Sequence, residues 1–164
     1  MKKSIFILFV VFSSISLQAQ KVAYVNSQAI IAELPEVKEA NATIETLKSQ
    51  LMKKGQDMVK ALQTKGQKLE QGRDGMAPIK FQEEVEKLKK EEEEIVQFEE
   101  QSQFRIYQKT EELLGPVQKK INEAIKAVAI EKGYSYIFDA QGSNILYADE
   151  SVNVSELVKA KLKS

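Results

Sequence analysis

The 164-residue sequence contains no His, Cys or Trp and only three Pro. Without Cys and His the chain has no thiolate nucleophile, no imidazole base, no disulfide, and no thiolate or imidazole ligand for a metal. An enzyme would have to rely on carboxylate, hydroxyl or Lys chemistry inside a polar pocket. The composition therefore argues against an enzyme and against a bound cofactor or metal, and the length allows one domain of ordinary size.

The first 19 residues have the three parts of a secretory signal peptide. Lys2 and Lys3 give a positive start, residues 5–12 form an unbroken apolar run, and the following residues are small or polar up to Ala19. A buried strand or a membrane anchor is the alternative, but the apolar run is too short to span a bilayer. We expect cleavage after Ala19 and export. Removal of Lys2 and Lys3 leaves 22 basic and 24 acidic side chains, a net charge of −2.

Short β-type segments begin and end the mature chain. Residues 21–26 (KVAYVN) alternate and predict a strand, and residues 134–139 (YSYIFD) and 144–148 (NILYA) predict a hairpin closed by a turn at 140–143. A final helix is predicted over residues 154–162, where Asn153 and Glu156 have capping-box spacing.

Two long helices are predicted between these segments. A first short turn over residues 27–33, capped by Asn26 or Ser27, ends at Pro35, and a long helix then runs to about Gln71. Residues 71–78 (QGRDGMAP) form the strongest turn signal in the chain. A second helix is predicted over residues 78–132, from Pro78 to a stop at Gly133.

Each long helix carries one apolar stripe at helical periodicity. The stripe of the first helix repeats every eleven residues, which predicts a nearly straight or slightly right-handed helix pair. Its members are Ile44, Leu47, Leu51, Met58, Leu62, Leu69 and Met76, and those of the second are Phe81, Leu88, Ile95, Ile106, Leu113, Val117, Ala124 and Val128. The pattern predicts a long antiparallel helical hairpin.

The predicted fold is therefore α+β and mainly α, with a hairpin arm over residues 34–132 whose tip lies at about 72–78. Residues 20–33 and 133–164 form a small β-rich body. A two-stranded hairpin alone is marginal in water, and one short helix cannot cover its apolar groups. We therefore expect a symmetric oligomer of identical chains to complete the body.

The whole mature chain resembles the Skp/OmpH family of periplasmic chaperones. The specific parts are residues 21–26, the Leu34-Pro35-Glu36-Val37 that follows, and residues 134–162. The resemblance implies a homotrimer in which a β body carries three helical arms around a cavity. It also implies an ATP-independent holdase that binds unfolded outer-membrane proteins in the periplasm and prevents their aggregation.

A holdase needs apolar side chains that stay exposed to solvent in the free protein. Seven apolar residues of the arm lie off the pairing stripes or near the tip and are candidate client contacts, with widening of the helix contact as the alternative. They are Met52, Val59, Ile79, Val96, Phe98, Phe104 and Tyr107. Phe104 is the best single candidate.

Basic residues are concentrated in the distal part of the arm and form a second candidate surface. They are Lys48, Lys53, Lys54, Lys60, Lys65, Lys68, Arg73 and Lys80. They could pair with the Glu residues of the second helix or contact acidic envelope lipids, whereas export excludes cytosolic nucleic acid. The run Glu91 to Glu94 does not form a metal site, because consecutive helical residues point in different directions.

Three glycines and a proline interrupt the helices and are candidate hinges, with tolerated sequence drift as the alternative. They are Gly55, Gly66, Gly115 and Pro116. From a different functional class, the chain could be an envelope adaptor protein that docks a fixed partner through the hairpin tip.

Overall fold

The structure, a computed structural model, describes residues 20–142 and 145–163; the predicted signal peptide lies outside the described residues. The chain is mainly helical and has one two-stranded sheet. In chain order the elements are β1 (Val22–Val25), α1 (Ser27–Glu33), α2 (Pro35–Gln71), a 3-10 turn (Arg73–Gly75), α3 (Pro78–Lys132), β2 (Tyr136–Asp139), a second 3-10 turn (Glu150–Val152) and α4 (Ser155–Leu162).

The ends of the helices follow local chemistry. Asn26 accepts a hydrogen bond from the Ala29 N–H at 2.9 Å and caps α1, and Pro35 is the first residue of α2. Gly133, with a φ of 68°, ends α3. The N–H groups of Gly133 and Tyr134 bond the carbonyls of Ile130 and Ala129, which is a Schellman motif. These boundaries confirm the predicted helices.

The described residues divide into two compact units, residues 32–118 and a unit made of residues 20–31 together with those described from 119 onward. We call the first the arm and the second the body. The arm contains α2 and the part of α3 up to residue 118, which form the predicted long helical hairpin. The body includes residues 119–132 of α3, which the sequence pattern groups with the arm.

The body core lies beneath one face of the sheet. Ala23 and Val25 of β1 pack with Ile30, and the rest of this cluster is contributed by residues of α3 and by the start of α4: Ala124, Val128, Val154 and Val158. Because side chains alternate along a strand, the opposite sheet face carries Val22, Tyr136 and Phe138, and these three are exposed.

The predicted hairpin between residues 134–139 and 144–148 is wrong. Residues 145–148 form no strand, and β2 pairs instead in parallel with β1, with Val22 opposite Tyr136. On the other edge of β1, the Val154 N–H bonds the Tyr24 carbonyl at 2.9 Å. Alternation indicates that a segment can lie in a sheet, but it does not identify the backbone partner.

The predicted capping box of the last helix is also wrong. The residue before α4 is Val154, whose side chain makes no cap, and the Asn153 side chain accepts from the Ser155 N–H at 3.0 Å. Asn153 thus forms a local turn, and the Ser155 hydroxyl accepts from the Asn26 N–H at 3.0 Å. The start of α4 is thereby tied to the end of β1.

Asp139 connects the end of β2 to the start of α1. Its carboxylate accepts hydrogen bonds from the Ser27 hydroxyl, from the Ser27 N–H and from the Gln141 N–H. Burial acts to raise the pKa of this carboxyl, but these hydrogen bonds to the charged form outweigh it and lower the pKa below 3.8. The ionised carboxylate therefore stabilises the fold.

Truncation of the body core should destabilise the protein in proportion to burial. Ile30 is 1% exposed and Ile130 is 72% exposed. We expect Ile30→Ala to lower the free energy of unfolding by about 2–5 kcal/mol and the matched Ile130→Ala to change it by less than about 0.5 kcal/mol. Urea unfolding followed by circular dichroism at one protein concentration measures both, and equal effects would contradict the assigned core.

The Asp139 contacts predict a pH-dependent contribution to stability. A carboxyl with a lowered pKa stabilises the folded state fully above its unfolded pKa, and the contribution is lost as pH falls through the folded pKa. We expect Asp139→Asn to be less stable than the wild type by about 1–3 kcal/mol at neutral pH, with the difference shrinking below about pH 3.8. A difference that does not vary with pH would show that the charge is unimportant.

Candidate functional site

The two arm helices bury one continuous stripe each, as the periodicity predicts. On α2 the buried and half-buried positions recur at intervals of eleven, as in Ala40, Leu51 and Leu62. On α3, Ile95 and Ser102 are buried within the corresponding stripe. Because a pair of helices has no third layer, the remaining faces of both helices stay in contact with water.

Contacts across the hairpin set its register. The Lys65 ammonium lies 2.5 Å from the Glu91 carboxylate, and the Arg73 guanidinium lies 5.3 Å from the centre of the Phe81 ring near the tip. The predicted pairing of basic residues on the first helix with Glu residues on the second helix is thus present at Lys65 and Glu91. The exposed pair contributes about 0–1 kcal/mol, so it specifies register more than it stabilises.

Phe98 packs directly against the backbone of α2 at Gly55. A Cβ atom added to Gly55 would lie 3.6 Å from the Phe98 ring, and the Lys54 ammonium lies 5.0 Å from the centre of the same ring. The contact explains why Phe98 is half-buried although it lies off the predicted stripe. Ser102, one turn further along α3, donates its hydroxyl to the Phe98 carbonyl at 2.6 Å.

A groove of about 1100 Å³ opens between the helices around this contact. We define its floor as the buried and half-buried lining residues and its rim as the exposed ones. The floor is Ile44, Leu51, Gly55, Phe98, Ser102 and Ile106. On the rim, Met52 and Val59 supply exposed apolar surface. The arm therefore carries an open, mainly apolar recess in addition to scattered exposed side chains.

The predicted client contacts fall into two groups. Met52, Val59 and Phe98 line the groove. The other four lie outside its lining and are exposed, and they are Ile79, Val96, Phe104 and Tyr107. Phe104, the best candidate from the sequence, is 59% exposed. The structure thus leaves apolar surface available along the arm, and the role of these residues in client binding stays a prediction.

The eight basic candidates are exposed but do not form one uninterrupted cationic surface. Lys48 and Lys60 lie on the groove rim, and Lys48 also pairs with Glu45. Arg73 pairs with Glu70. Lys53, Lys68 and Lys80 are exposed on the helix surfaces, while Lys54 and Lys65 make the contacts described above. Part of the positive charge is therefore neutralised within the arm.

The hinge candidates do not interrupt the helices. Helix α2 is continuous through Gly55 and Gly66, and α3 is continuous through Gly115 and Pro116. Gly55 accommodates Phe98, whereas a Cβ atom at Gly66 would have no neighbour within 4 Å. Gly55 thus has a packing role that the sequence pattern does not reveal, and its function as a hinge stays a prediction.

The body carries exposed apolar residues that are not among the predicted site residues. On the exposed sheet face the Tyr136 and Phe138 rings stack with centroids 6.2 Å apart, and in the segment after β2 Leu146 and Tyr147 are 99% and 85% exposed. The alternation of the strands could have located the sheet face. The exposure of Leu146 was not predicted, because residues 144–148 were expected to pair with residues 134–139 in a hairpin.

Within residues 20–142 and 145–163, no group of three or more Asp or Glu side chains is placed to hold a metal ion. No helix in the same ranges is long and apolar enough to cross a membrane.

Comparisons with known proteins identify the family. Residues 21–162 match the model of the OmpH family, described as "Outer membrane protein (OmpH-like)". A crystal structure from Caulobacter crescentus CB15, whose description proposes an OmpH-like outer membrane chaperone, shares 16% identity. The match has a TM-score of 0.72 and covers 88% of this chain and 84% of that one.

No curated protein matches the chain. The structural likeness supports the fold, and the family model covers nearly all of the described residues. This confirms the resemblance based on the KVAYVN strand and residues 134–162. The chain belongs to the OmpH-like (Skp) family.

Proposed function

We propose that the protein is an ATP-independent holdase that binds unfolded outer-membrane protein precursors in the periplasm and prevents their aggregation. The observation that carries the proposal is the exposed apolar surface along the arm. Met52, Phe104 and Tyr107 are each more than half exposed, although each helix of the hairpin already buries one apolar stripe. Exposed apolar side chains of this kind favour contact with other apolar chains.

The chemistry of the arm suits weak and unspecific capture. Met is flexible and polarisable, so it adapts to different partners, and aromatic rings add large contact area. Acidic and basic side chains alternate with the apolar ones, which keeps the free protein dispersed in water. The export signal predicted in residues 1–19 and the outer-membrane description of the family support a periplasmic location.

Assembly into a homotrimer completes the proposal. The body sheet has two strands, and a sheet of that size is marginal in water unless its apolar face is covered. Val22, Tyr136 and Phe138 form such a face, and it is exposed in the single chain. Three arms around one client would also raise the effective concentration of many weak contacts.

Charge placed on the sheet face should disrupt the oligomer. We expect light scattering after size exclusion to give the mass of three chains for the wild type and of one chain for Phe138→Glu, because burying an unpaired carboxylate is costly. Phe104→Glu, the same substitution on the arm, should keep the trimer. A wild type that is a stable monomer at micromolar concentration would contradict the assembly.

Client capture should depend on the exposed aromatic residues of the arm. We expect the wild type to suppress aggregation of two unrelated urea-unfolded outer-membrane β-barrel proteins at near-stoichiometric ratio, as measured by light scattering. Phe104→Ala should weaken capture about fivefold, since truncation of one exposed anchor costs about 1 kcal/mol. Gln101→Ala, an exposed position on the same helix, serves as the control.

The adaptor alternative predicts a different pattern in the same assay. An adaptor would ignore both unfolded barrel proteins and would bind one folded partner through the tip at residues 72–80. Lack of suppression by the wild type, combined with tip-dependent binding to a single folded envelope protein, would replace the holdase proposal.

A further inference from the structure

The groove of the arm lies where the Phe98 ring of α3 packs against the backbone of α2 at Gly55. Gly55 contributes no side chain, and Ser102, one turn along α3 from Phe98, is short and donates its hydroxyl to the Phe98 carbonyl. A side chain at position 55 would meet the Phe98 ring. The apolar floor therefore includes a ring that lies off the predicted stripes.

The chemistry of the rim suits a polypeptide. Three glutamine side chains are available to exchange hydrogen bonds with backbone amides, and they are Gln56, Gln63 and Gln103. The charged rim residues have opposite signs on the two helices, with Lys48 and Lys60 on α2 and Glu99 and Glu100 on α3. A fatty acid would prefer a net cationic rim, whereas an uncharged amide backbone is compatible with a balanced one.

The α2 side of the groove is about as long as one strand of a membrane barrel, and the α3 side is shorter. The lining extends from Ile44 to Gln63 on α2, about 28 Å at 1.5 Å per residue, and from Phe98 to Ile106 on α3, about 12 Å. An extended chain covers the α2 side in about 8–9 residues and the α3 side in about 4. Strands of outer-membrane barrels have about 9–11 residues and alternate apolar with polar side chains. Every second side chain could therefore face the floor while the others remain in water.

We propose that this groove binds a single extended segment of an unfolded barrel protein, with its alternating apolar side chains on the floor and its backbone amides against the glutamine rim. The proposal rests on the proposed holdase function and assigns the anchor site within it. Phe98, Leu51 and Ile106 form the apolar contact surface, and Gly55 is required because its missing side chain lets the Phe98 ring lie against the backbone of α2.

The two glycines of α2 provide a matched test with the full-length mature protein. Gly55 and Gly66 lie eleven residues apart on the same half-buried stripe, but Gly66 is not part of the groove lining. Gly→Leu raises helix propensity equally at both positions. The probe is a fluorescein-labelled peptide of about ten residues that alternates Leu or Tyr with Thr or Ser, and fluorescence anisotropy reports its Kd.

Gly55→Leu should weaken peptide binding by about tenfold or more, since the new side chain would displace the Phe98 ring from the floor and remove its apolar contact with the peptide. Gly66→Leu should leave the Kd within about twofold. A peptide of the same composition with its apolar residues in one block should bind about tenfold more weakly than the alternating peptide. Met52→Glu, an exposed rim position, gives a second disrupting variant that does not disturb the stripe.

Equal loss in Gly55→Leu and Gly66→Leu would overturn the proposal and would indicate that helix stiffness, as in a hinge, controls binding. Equal binding of the two peptides would overturn the strand-like occupant. Binding of palmitate without binding of either peptide would assign the groove to a lipid. Groove-dependent peptide binding by a wild type that fails to suppress aggregation would support the site and reject the holdase function.

Discussion

Burial of only one narrow stripe on each long helix is the constraint on which the arm depends. A hairpin of two helices has no third layer, so the apolar residues beyond the stripe remain in water. In a compact domain such residues would be a defect. Here Phe104 and Tyr107 stay exposed because nothing in the described part of the arm covers them, so apolar surface remains accessible on the single chain.

The stripe itself also varies in side-chain volume, and this variation creates the groove. Leu51 and Ile95 fill the space between the helices where they are buried. At Gly55 the Phe98 ring lies against the backbone of α2, and Ser102 supplies only a short side chain to the groove floor. A glycine in a helix interior costs about 1 kcal/mol relative to alanine. The contact between Phe98 and the Gly55 backbone gives that cost a structural consequence.

Local chemistry explains which elements could be predicted from the sequence. Pro78 and Gly133 bound α3 because a proline fits the first helical position and a glycine adopts positive φ at the end. The strand pairing was not predictable in the same way, since β1 and β2 are more than a hundred residues apart. The groove depends on the contact of Phe98 with Gly55 across the hairpin, which periodicity alone does not show.

The parallel pairing of β1 and β2 explains how so long an arm can be accommodated. Parallel strands cannot be joined by a tight turn and need a crossover connection. In this chain the connection between β1 and β2 contains the whole of α2 and α3. Within the body, the strands pair from Val22 opposite Tyr136 to Val25 opposite Asp139. Beside the last pair, the Asp139 carboxylate accepts a hydrogen bond from the Ser27 hydroxyl. The pairing of the two body strands therefore does not depend on a short connection between them.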